Sequence, residues 1–357
     1  MWPYLLKRLA LMVPTLLGVL TLSFVVTQFV PGGPIDHALA RLYSEGARSD
    51  ATGEGSAESG SLWAYTGRQG IDEEQVAELT ALYGFDRPLH ERYLHMLSGY
   101  LRFDLGESYF HHQSVWSLIV SKLPVSLSLG TWILFLTYLI SLPLGVSKAL
   151  RSGTPFDTAT TVLLLVGYAL PSFVLGVLLI VLFGGGSTFW EIFPLRGLTS
   201  DNWDELATLP KLLDYLWHIA MPVTAMVVSS FALKSLLTRN LFLDEMDKQY
   251  VLTARAKGVP ERRILWKHIF RNALLPLITG FPPTFIAAFF TSTLLIETLF
   301  SLDGLGLLSY ESIQTRDYPV VLGTLYVFTL IGLVTKLAGD VAYVVADPRI
   351  KYEAGAH

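Results

Sequence analysis

The chain contains no cysteine and carries little charge. The absence of cysteine from its 357 residues excludes disulfides, thiolate metal sites and cysteine nucleophiles. Charged residues make up 16% of the sequence and hydrophobic residues 52%, with a formal net charge of −4 and a mean hydropathy of +0.46. This balance is unlike that of a water-soluble domain and is typical of a chain that lies mostly in lipid.

The sequence also lacks the motifs of common catalytic sites. It has no GxxxxGK(S/T) phosphate loop, so the chain is not expected to hydrolyse ATP by itself, and it has no GxSxG elbow. The "GLGLLS" at 304–309 lacks the third glycine of a dinucleotide-binding motif. His90, Glu91 and His95 resemble a zinc-protease motif, but the i+5 spacing turns the second histidine away from the first, so no metal site is expected. The sequence thus predicts a protein that is not an enzyme.

Six apolar segments are long enough to cross a bilayer, which needs about 20 helical residues. They are 9–30, 124–147, 158–184, 218–238, 273–297 and 319–342. The first follows Lys7 and Arg8 and could imitate a signal peptide, but its apolar run is longer than usual and it leads into "VPGGPID", which is not a cleavage site. We therefore expect a retained helix and an all-α membrane protein with six transmembrane helices.

Lysine and arginine predict the orientation of these spans. Counted over alternate connections, one side carries 14 of them and the short connections on the other side carry 2 and 1. The basic connections are the segment before residue 9, 148–157, 239–272 and 343–357, and the short ones are 185–217 and 298–318. By the positive-inside rule both termini are expected in the cytoplasm, and 31–123 is then a long periplasmic loop.

The 31–123 loop divides into two parts. Residues 44–70 are rich in glycine, serine and acidic residues, with too few apolar residues to order themselves, and we expect a flexible insert. Residues 72–103 show helical spacing of apolar residues and predict two short helices joined by the "GFDRP" turn. These helices form either a surface cap or a docking surface for an external partner.

Four ionisable residues lie in or beside the predicted spans: Lys234, Glu297, Lys336 and Asp340. Such groups are costly in lipid and usually face a partner or a water-filled path. Lys336 and Asp340 are four residues apart on one helix and can pair with each other. The four residues are either structural groups near helix ends or lining of a polar path, and Glu297, Lys336 and Asp340 are the candidate translocation residues.

Prolines inside the predicted spans indicate kinks, which suit a bundle that opens and closes. They are Pro143, Pro171, Pro222, Pro276, Pro282 and Pro283.

The most basic connection, 239–272, predicts two helices. "EMDKQYVLTARAK" contains no helix breaker and ends at Gly258, a residue type common at helix C-termini. Pro260 and Glu261 then begin a second helix that continues into the fifth span. Its basic residues form one stripe suited to lipid headgroups or an acidic surface: Arg263, Lys267 and Arg271.

Small residues distinguish the first of these two helices. Ala254, Ala256 and Gly258 keep it thin, so its backbone can closely approach a groove on another protein. A helix that lies on the membrane surface would carry bulky apolar residues at these positions. We favour a helix presented to a partner, and an interfacial helix is the alternative.

The same stretch resembles a known family motif. "YVLTARAKGVPERRILWKHIFRNALLP" is similar to the EAA-loop motif of binding-protein-dependent ABC importers, in the form found in dipeptide and oligopeptide permeases. The resemblance extends over nearly the whole chain, and the YejB-type peptide permeases are the branch it most resembles. Further matching segments are "LLKRLALMVPTLLGVLTLSFVVTQFVPGGP", "YGFDRPLHERY", "FDLGES", "LPVSLSLG", "LPSFVLGVLLIVLF", "LLIETLFSLDGLGLL", "RDYPVVLGTLY" and "VADPRIKY".

The resemblance implies a permease subunit with a type I ABC importer fold, located in the bacterial inner membrane, that takes up oligopeptides or peptide-like compounds. Its implied partners are a second, homologous permease, an ABC ATPase with two nucleotide-binding domains, a periplasmic peptide-binding protein, the peptide itself and membrane lipid, with no nucleic acid. ATP and Mg would be bound by the ATPase, and no cofactor by this chain. The motif residues would form a coupling helix that seats in a groove of the ATPase: Thr253, Ala254, Arg255, Ala256, Lys257, Gly258 and Val259.

The resemblance also divides the chain into parts. These are an N-terminal tail with the first helix (1–30), the periplasmic loop (31–123), a permease core (124–342) that includes the cytoplasmic coupling loop (239–272), and a cytoplasmic tail (343–357). Two other classes remain as alternatives: a stand-alone secondary transporter and, less favoured, a membrane-embedded enzyme, for which the spans offer no base–nucleophile pair.

Overall fold

The computed structural model describes residues 2–29, 80, 85–185, 189–286, 289 and 294–346. Within these ranges the regular secondary structure is helical, accompanied by two isolated β-bridges. This confirms the expected all-α class. The 44–70 insert and the residues after 346 lie outside the described residues, and so does the first helix expected within 72–103, apart from Thr80.

The helices follow one another in this order: α1 (Trp2–Phe29), α2 (Leu89–Tyr100), α3 (Val115–Leu150), α4 (Pro155–Ala169), α5 (Ser172–Phe183), α6 (Thr208–Met246), α7 (Gln249–Ala256), α8 (Glu261–Arg263), a π-helical turn (Ile264–Ile269), α9 (Phe270–Ala273), α10 (Leu275–Thr279), α11 (Phe281–Ile286), α12 (Leu294–Leu299), α13 (Leu305–Thr315) and α14 (Tyr318–Ala346). The second of the two short helices expected in the 31–123 loop is α2.

Several of these helices can cross a membrane. Among the described residues, four are long and apolar enough: Leu6–Phe29 within α1, all of α3 and α6, and α14 as far as Ala342. The pair α4 and α5 passes the same test together but is bent by 93° at its break. The segment predicted as one span over 158–184 is therefore a bent pair, because Pro171 disfavours a helical backbone at Leu170, which is extended with a ψ of 119°.

The fifth predicted span, 273–297, is not a continuous helix where the structure describes it. Its described part includes the end of α9, α10, α11 and α12, and the turn residues Leu274 and Gly280 separate the first three of these helices. Pro276 and Pro282 cannot donate a backbone N–H to the preceding turn, which weakens the helix at these places. The N–H of Gly280 keeps its bond to the carbonyl of Pro276 at 3.0 Å, so helical hydrogen bonding continues between the two prolines.

Local capping explains where two of the helices begin. α3 begins earlier than the span predicted at 124 because the Ser114 hydroxyl accepts the N–H of Ser117 at 3.2 Å. α4 begins with Pro155 in its first turn, and the Thr154 hydroxyl accepts the N–H of Asp157 at 3.5 Å.

The chain divides into two compact units. The first comprises Met1–Met12, Lys122–Leu308 and Phe328–His357, and the second comprises Val13–Ser121 and Ser309–Val327. An apolar core of the first unit joins α3, α6 and α12; its buried members are Leu129, Ile133, Ile219, Met221, Val223, Ala225, Met226, Val227, Phe289, Ile296, Phe300 and Leu302.

In the second unit, the start of α14 is fixed by a buried carboxylate. Asp317 accepts the hydroxyl of Ser108 at 2.5 Å and the N–H of Tyr109 at 3.1 Å. Further along α14, the Tyr326 hydroxyl donates to the carbonyl of Tyr100 at the end of α2, at 3.1 Å. The second unit is therefore held by buried polar bonds as well as by apolar packing.

Candidate functional site

Helix α7 carries the motif residues of the basic loop. Its C-terminus closes as the sequence predicts: Gly258 has a φ of +73°, and the N–H of Val259 bonds to the carbonyl of Ala254 at 3.1 Å. Its start differs from the prediction, because α6 ends at Met246 and Lys248 is extended, so the expected single helix is broken before Gln249. α7 is therefore a separate two-turn helix.

One face of α7 is anchored and the other is free. Val251 is fully buried in an apolar cluster with the ends of α3 and α6 and with the helix that follows. The other buried members of this cluster are Val146, Ala149, Phe242, Ile264, Ile269 and Ala273. Leu252 is 50% exposed, and Thr253, Ala256 and Lys257 are exposed as well. The exposed surface consists of Leu252 surrounded by small or flexible side chains; we call it the free face of α7.

Polar contacts stiffen both ends of α7. The guanidinium of Arg255 donates to both carboxylate oxygens of Glu261, at 2.7 and 3.3 Å, across the turn at Gly258. On the other side the Tyr250 hydroxyl donates to Glu245 at 2.7 Å. Burial and the Glu245 carboxylate raise the pKa of Tyr250 to about 12, so the phenol stays protonated and keeps this bond.

The basic stripe after α8 is exposed but does not follow a regular α-helix. Arg263, Lys267 and Arg271 are all exposed, while Ile264 and Ile269 between them are buried. The stretch Ile264–Ile269 is π-helical, which widens each turn and changes the angle between successive side chains. The i, i+4 spacing expected from the sequence therefore gives a looser stripe than an α-helix would.

Behind this loop lies a buried charge cluster that the sequence pattern did not reveal. The Lys148 ammonium is fully buried and donates to the Asp157 carbonyl at 2.7 Å and to the hydroxyls of Thr160 and Thr161 at 2.8 and 2.7 Å. The Asp157 carboxylate lies 3.0 Å from the Lys148 ammonium and accepts two bonds from Arg239, at 2.8 and 2.6 Å. The cluster joins the end of α3, the start of α4 and the C-terminal part of α6 next to the anchor of α7.

The candidate translocation residue Glu297 lies in a fully buried site. Its carboxylate accepts the N–H of Leu307 at 2.7 Å in the first turn of α13, where a negative charge is favourable. The Ser126 hydroxyl accepts the N–H of Leu305 at 2.8 Å beside it. A Cβ on Gly304 would stand 2.4 Å from the Glu297 carboxylate, so only glycine fits there. Glu297 thus caps a helix in this structure.

The other ionisable residues of the spans are separated. The pair of Lys336 with Asp340 that their spacing allows is not formed: Asp340 lies 3.3 Å from the guanidinium of Arg8 on α1, and Lys336 is exposed. The sequence suggested a pair within one helix because it cannot show which helices are neighbours. Lys234 is half-buried, and its ammonium donates to the Thr284 hydroxyl at 2.8 Å.

Two signals in the sequence could have indicated the missed residues. Leu252 is a bulky apolar residue directly before the motif residues 253–259. Its position beside small residues could have indicated an exposed contact residue. Lys148 and Arg239 were counted only for membrane orientation and Asp157 was not considered, although charges that adjoin an apolar segment often need partners.

This helical architecture, with its anchored loop between two apolar segments, is that of a membrane transport component. The chain belongs to the family of binding-protein-dependent transport system inner membrane components, which it matches over residues 141–352. Members of this family are transporters and not enzymes, and the chain is a multi-pass inner membrane protein.

Similar proteins agree with this assignment over the whole length. The chain is 52% identical over 363 residues to the peptidoglycan transport system permease protein YejB of Agrobacterium fabrum, which covers 99% of each chain. It is equally identical to the inner membrane ABC transporter permease protein YejB of Escherichia coli O157:H7, over 99% of this chain and 100% of that one. The dipeptide transport system permease protein DppB of Escherichia coli K12 is 30% identical over 99% of this chain. The resemblance seen in the sequence, including its YejB branch, is confirmed.

Proposed function

We propose that this chain is the permease subunit of an ATP-driven importer for peptides or peptide-like compounds, and that α7 couples it to the ATPase. The relatives are permease proteins of peptidoglycan, dipeptide and oligopeptide transport systems, which supports a cargo that contains peptide bonds. The chain itself has no phosphate loop, so the energy for transport would come from another subunit.

The observation that carries the coupling role is the contrast between the two faces of α7. A helix that transmits force must be fixed to the membrane helices on one side and accessible to its partner on the other. Val251 and the surrounding apolar cluster provide the fixed side, and the free face provides the accessible side. An interfacial helix would present a broad bulky apolar surface, whereas Leu252 is the only large apolar residue on this free face.

The proposed assembly follows from this role. Six spans with both termini in the cytoplasm would place 239–272 on the ATPase side and 31–123 toward an extracytoplasmic binding protein, as the lysine and arginine counts favour. A second, homologous permease would complete the translocation path, with ATP and Mg on the ATPase. Nucleotide-driven closure of the ATPase would move α7, and the broken helices α9–α12 and the bent pair α4–α5 would allow the bundle to switch access. Lys336 and Asp340 remain candidate residues of the translocation path when the bundle is open. Glu297 would line the path only if α13 moved away from its carboxylate.

Substitution of Gly258 tests the coupling role. No atom lies within 4 Å of the position of a Cβ on Gly258, so a side chain there would project outward into a docked partner. Gly258→Ala and Gly258→Trp share the cost of a left-handed residue, about 1–2 kcal/mol, but only the tryptophan adds bulk to the docking surface. We expect Gly258→Trp to abolish transport while membrane insertion and basal ATP hydrolysis persist, and Gly258→Ala to retain much of it.

Two measurements test the coupling role and the importer class. Transport and ATP hydrolysis of the reconstituted importer are compared for both variants; equal transport by the alanine and tryptophan variants would exclude Gly258 from the docking surface. Co-purification of the wild-type chain with an ATPase separates the importer from a stand-alone secondary transporter, which needs no such subunit.

A further inference from the structure

Lys234 lies in the membrane-spanning part of α6 without an acidic partner. It precedes Arg239 by five residues, which places it about 7 Å farther along the helix from the Arg239 ion cluster at 1.5 Å per residue. In the described part of the chain its ammonium makes no ion pair; it bonds to the Thr284 hydroxyl and lies 5.4 Å from the centre of the Tyr138 ring. A lysine in a span normally pairs with a carboxylate or marks a ligand path.

The side chain of Lys234 does not run along α6 toward the end of the helix. It crosses to the broken fifth segment, where its ammonium lies 3.9 Å from the position of a Cβ on Gly280 and bonds to Thr284 on α11. A snorkelling lysine would extend toward the lipid headgroups instead. The ammonium is therefore held inside the bundle by groups that leave its charge unneutralised.

An apolar cleft of about 420 Å³ lies next to this ammonium. Its walls come from α3, the fifth segment and α14, and they include Tyr138, Ile278, Phe281 and Gly339. Two contacts place Lys234 at its rim: the ammonium faces the ring of Tyr138, and Gly280 lies between Ile278 and Phe281 of the lining. The volume is within the range of small-ligand sites, which combine apolar walls with a few oriented polar groups.

The chemistry that fits is a carboxylate attached to an apolar side chain. The carboxylate would neutralise the positive charge of Lys234 and accept a charge-assisted hydrogen bond from it, and the apolar side chain would fill the cleft. An ammonium ligand would be repelled, and a phospholipid phosphate would remain at the membrane surface, farther along α6 than Lys234. We propose that Lys234 binds the C-terminal carboxylate of the transported peptide while the cleft accepts its last side chain; this rests on the proposed function.

The experiment compares two cargoes in the reconstituted importer: a tripeptide with a leucine C-terminus and a free carboxylate, and its C-terminal amide. We expect Lys234→Met to lower transport of the free acid about tenfold relative to wild type, because a hydrogen bond to a charged group is lost, and to leave transport of the amide unchanged. Lys234→Arg keeps the charge and should retain most of the preference for the acid.

Matched variants separate ligand binding from structure. Thr284→Val removes the hydroxyl partner of Lys234 and keeps the charge, so it should leave the acid-to-amide ratio unaltered. Lys211→Met makes the same chemical change near the other end of α6, where the ammonium lies over Trp203, and should also leave the ratio unaltered. An equal loss of acid and amide transport in Lys234→Met, or no loss, overturns the inference. Failure of the wild-type importer to transport either peptide would instead refute the proposed function.

Discussion

The buried cluster of Lys148, Asp157 and Arg239 predicts a specific order of stability among its variants. Two cations share one carboxylate, and Lys148 is fully buried whereas the Arg239 side chain is 23% exposed. Asp157→Asn keeps the shape but leaves two cations beside a neutral amide. Removing one partner of a buried ion pair costs about 3–5 kcal/mol, because the remaining charge is left without compensation.

Lys148→Met removes one cation and leaves Asp157 and Arg239 as a pair of zero net charge, joined by two hydrogen bonds. The hydroxyls of Thr160 and Thr161 keep their bonds to the carbonyls of Phe156 and Asp157, at 2.6 and 2.7 Å. The loss of stability is therefore confined to the hydrogen bonds that the ammonium donated, and we expect it to be about 1–3 kcal/mol. In the double variant, the methionine removes the cation that Asp157→Asn had left unpaired, so the combined loss should be smaller than the sum by about 0.5–3 kcal/mol.

Thermal unfolding of the purified variants in one detergent measures this order. We expect the midpoints to fall from wild type to Lys148→Met to Asp157→Asn, and the midpoint of the double variant to fall by less than the sum of the two single losses. The exposed Asp204 provides the control, because Asp204→Asn makes the same change in solvent and should leave the midpoint unaltered. Equal midpoints for the two single variants, or strict additivity in the double variant, would refute the assignment of a buried, mutually dependent cluster.

Two further predictions concern the capped helix and the free face of α7. Gly304→Ala should lower the free energy of unfolding by about 1–3 kcal/mol, since its Cβ would meet the buried Glu297 carboxylate at 2.4 Å. Adding Glu297→Asp should restore part of this loss, and no recovery in the double variant would contradict the steric account. Leu252→Asp should reduce co-purification with the ATPase without changing the unfolding midpoint, because Leu252 is 50% exposed; an unchanged yield of the complex would remove Leu252 from the docking surface.

Local sequence patterns predicted those features that depend on neighbours along the chain. The helix end at Gly258 follows from the need for a positive φ, and the new helix after Pro260 follows from its fixed backbone. The same kind of reasoning located the breaks at Pro171 and near Pro276, although it did not give the 93° bend of α4 against α5. The start of α7 was missed because Lys248 has no breaker signature, and packing of Val251 against the ends of α3 and α6 sets that start.

Charge pairing could not be predicted in this way. By its spacing Asp340 can pair with Lys336 one turn away, but it contacts Arg8 from the opposite end of the chain instead. For Glu297 the sequence left a structural role and a polar path both open, and in this structure its carboxylate caps α13 beside Gly304 and Ser126. Which residues meet across helices depends on helix packing, which a single sequence does not display.

The sequence by itself determined the class of this protein: apolar length and scarce charge require lipid as solvent, and the motif through Gly258 identifies the family. Only the tertiary structure decided which charges are neutralised. In this structure Asp157 is paired with Lys148 and Arg239, the Glu297 carboxylate caps α13 and Asp340 contacts Arg8. Lys234 instead contacts the Thr284 hydroxyl and the Tyr138 ring. The physical reason is that composition is a property of the chain, whereas the compensation of a buried charge is a property of the few atoms within about 4 Å of it.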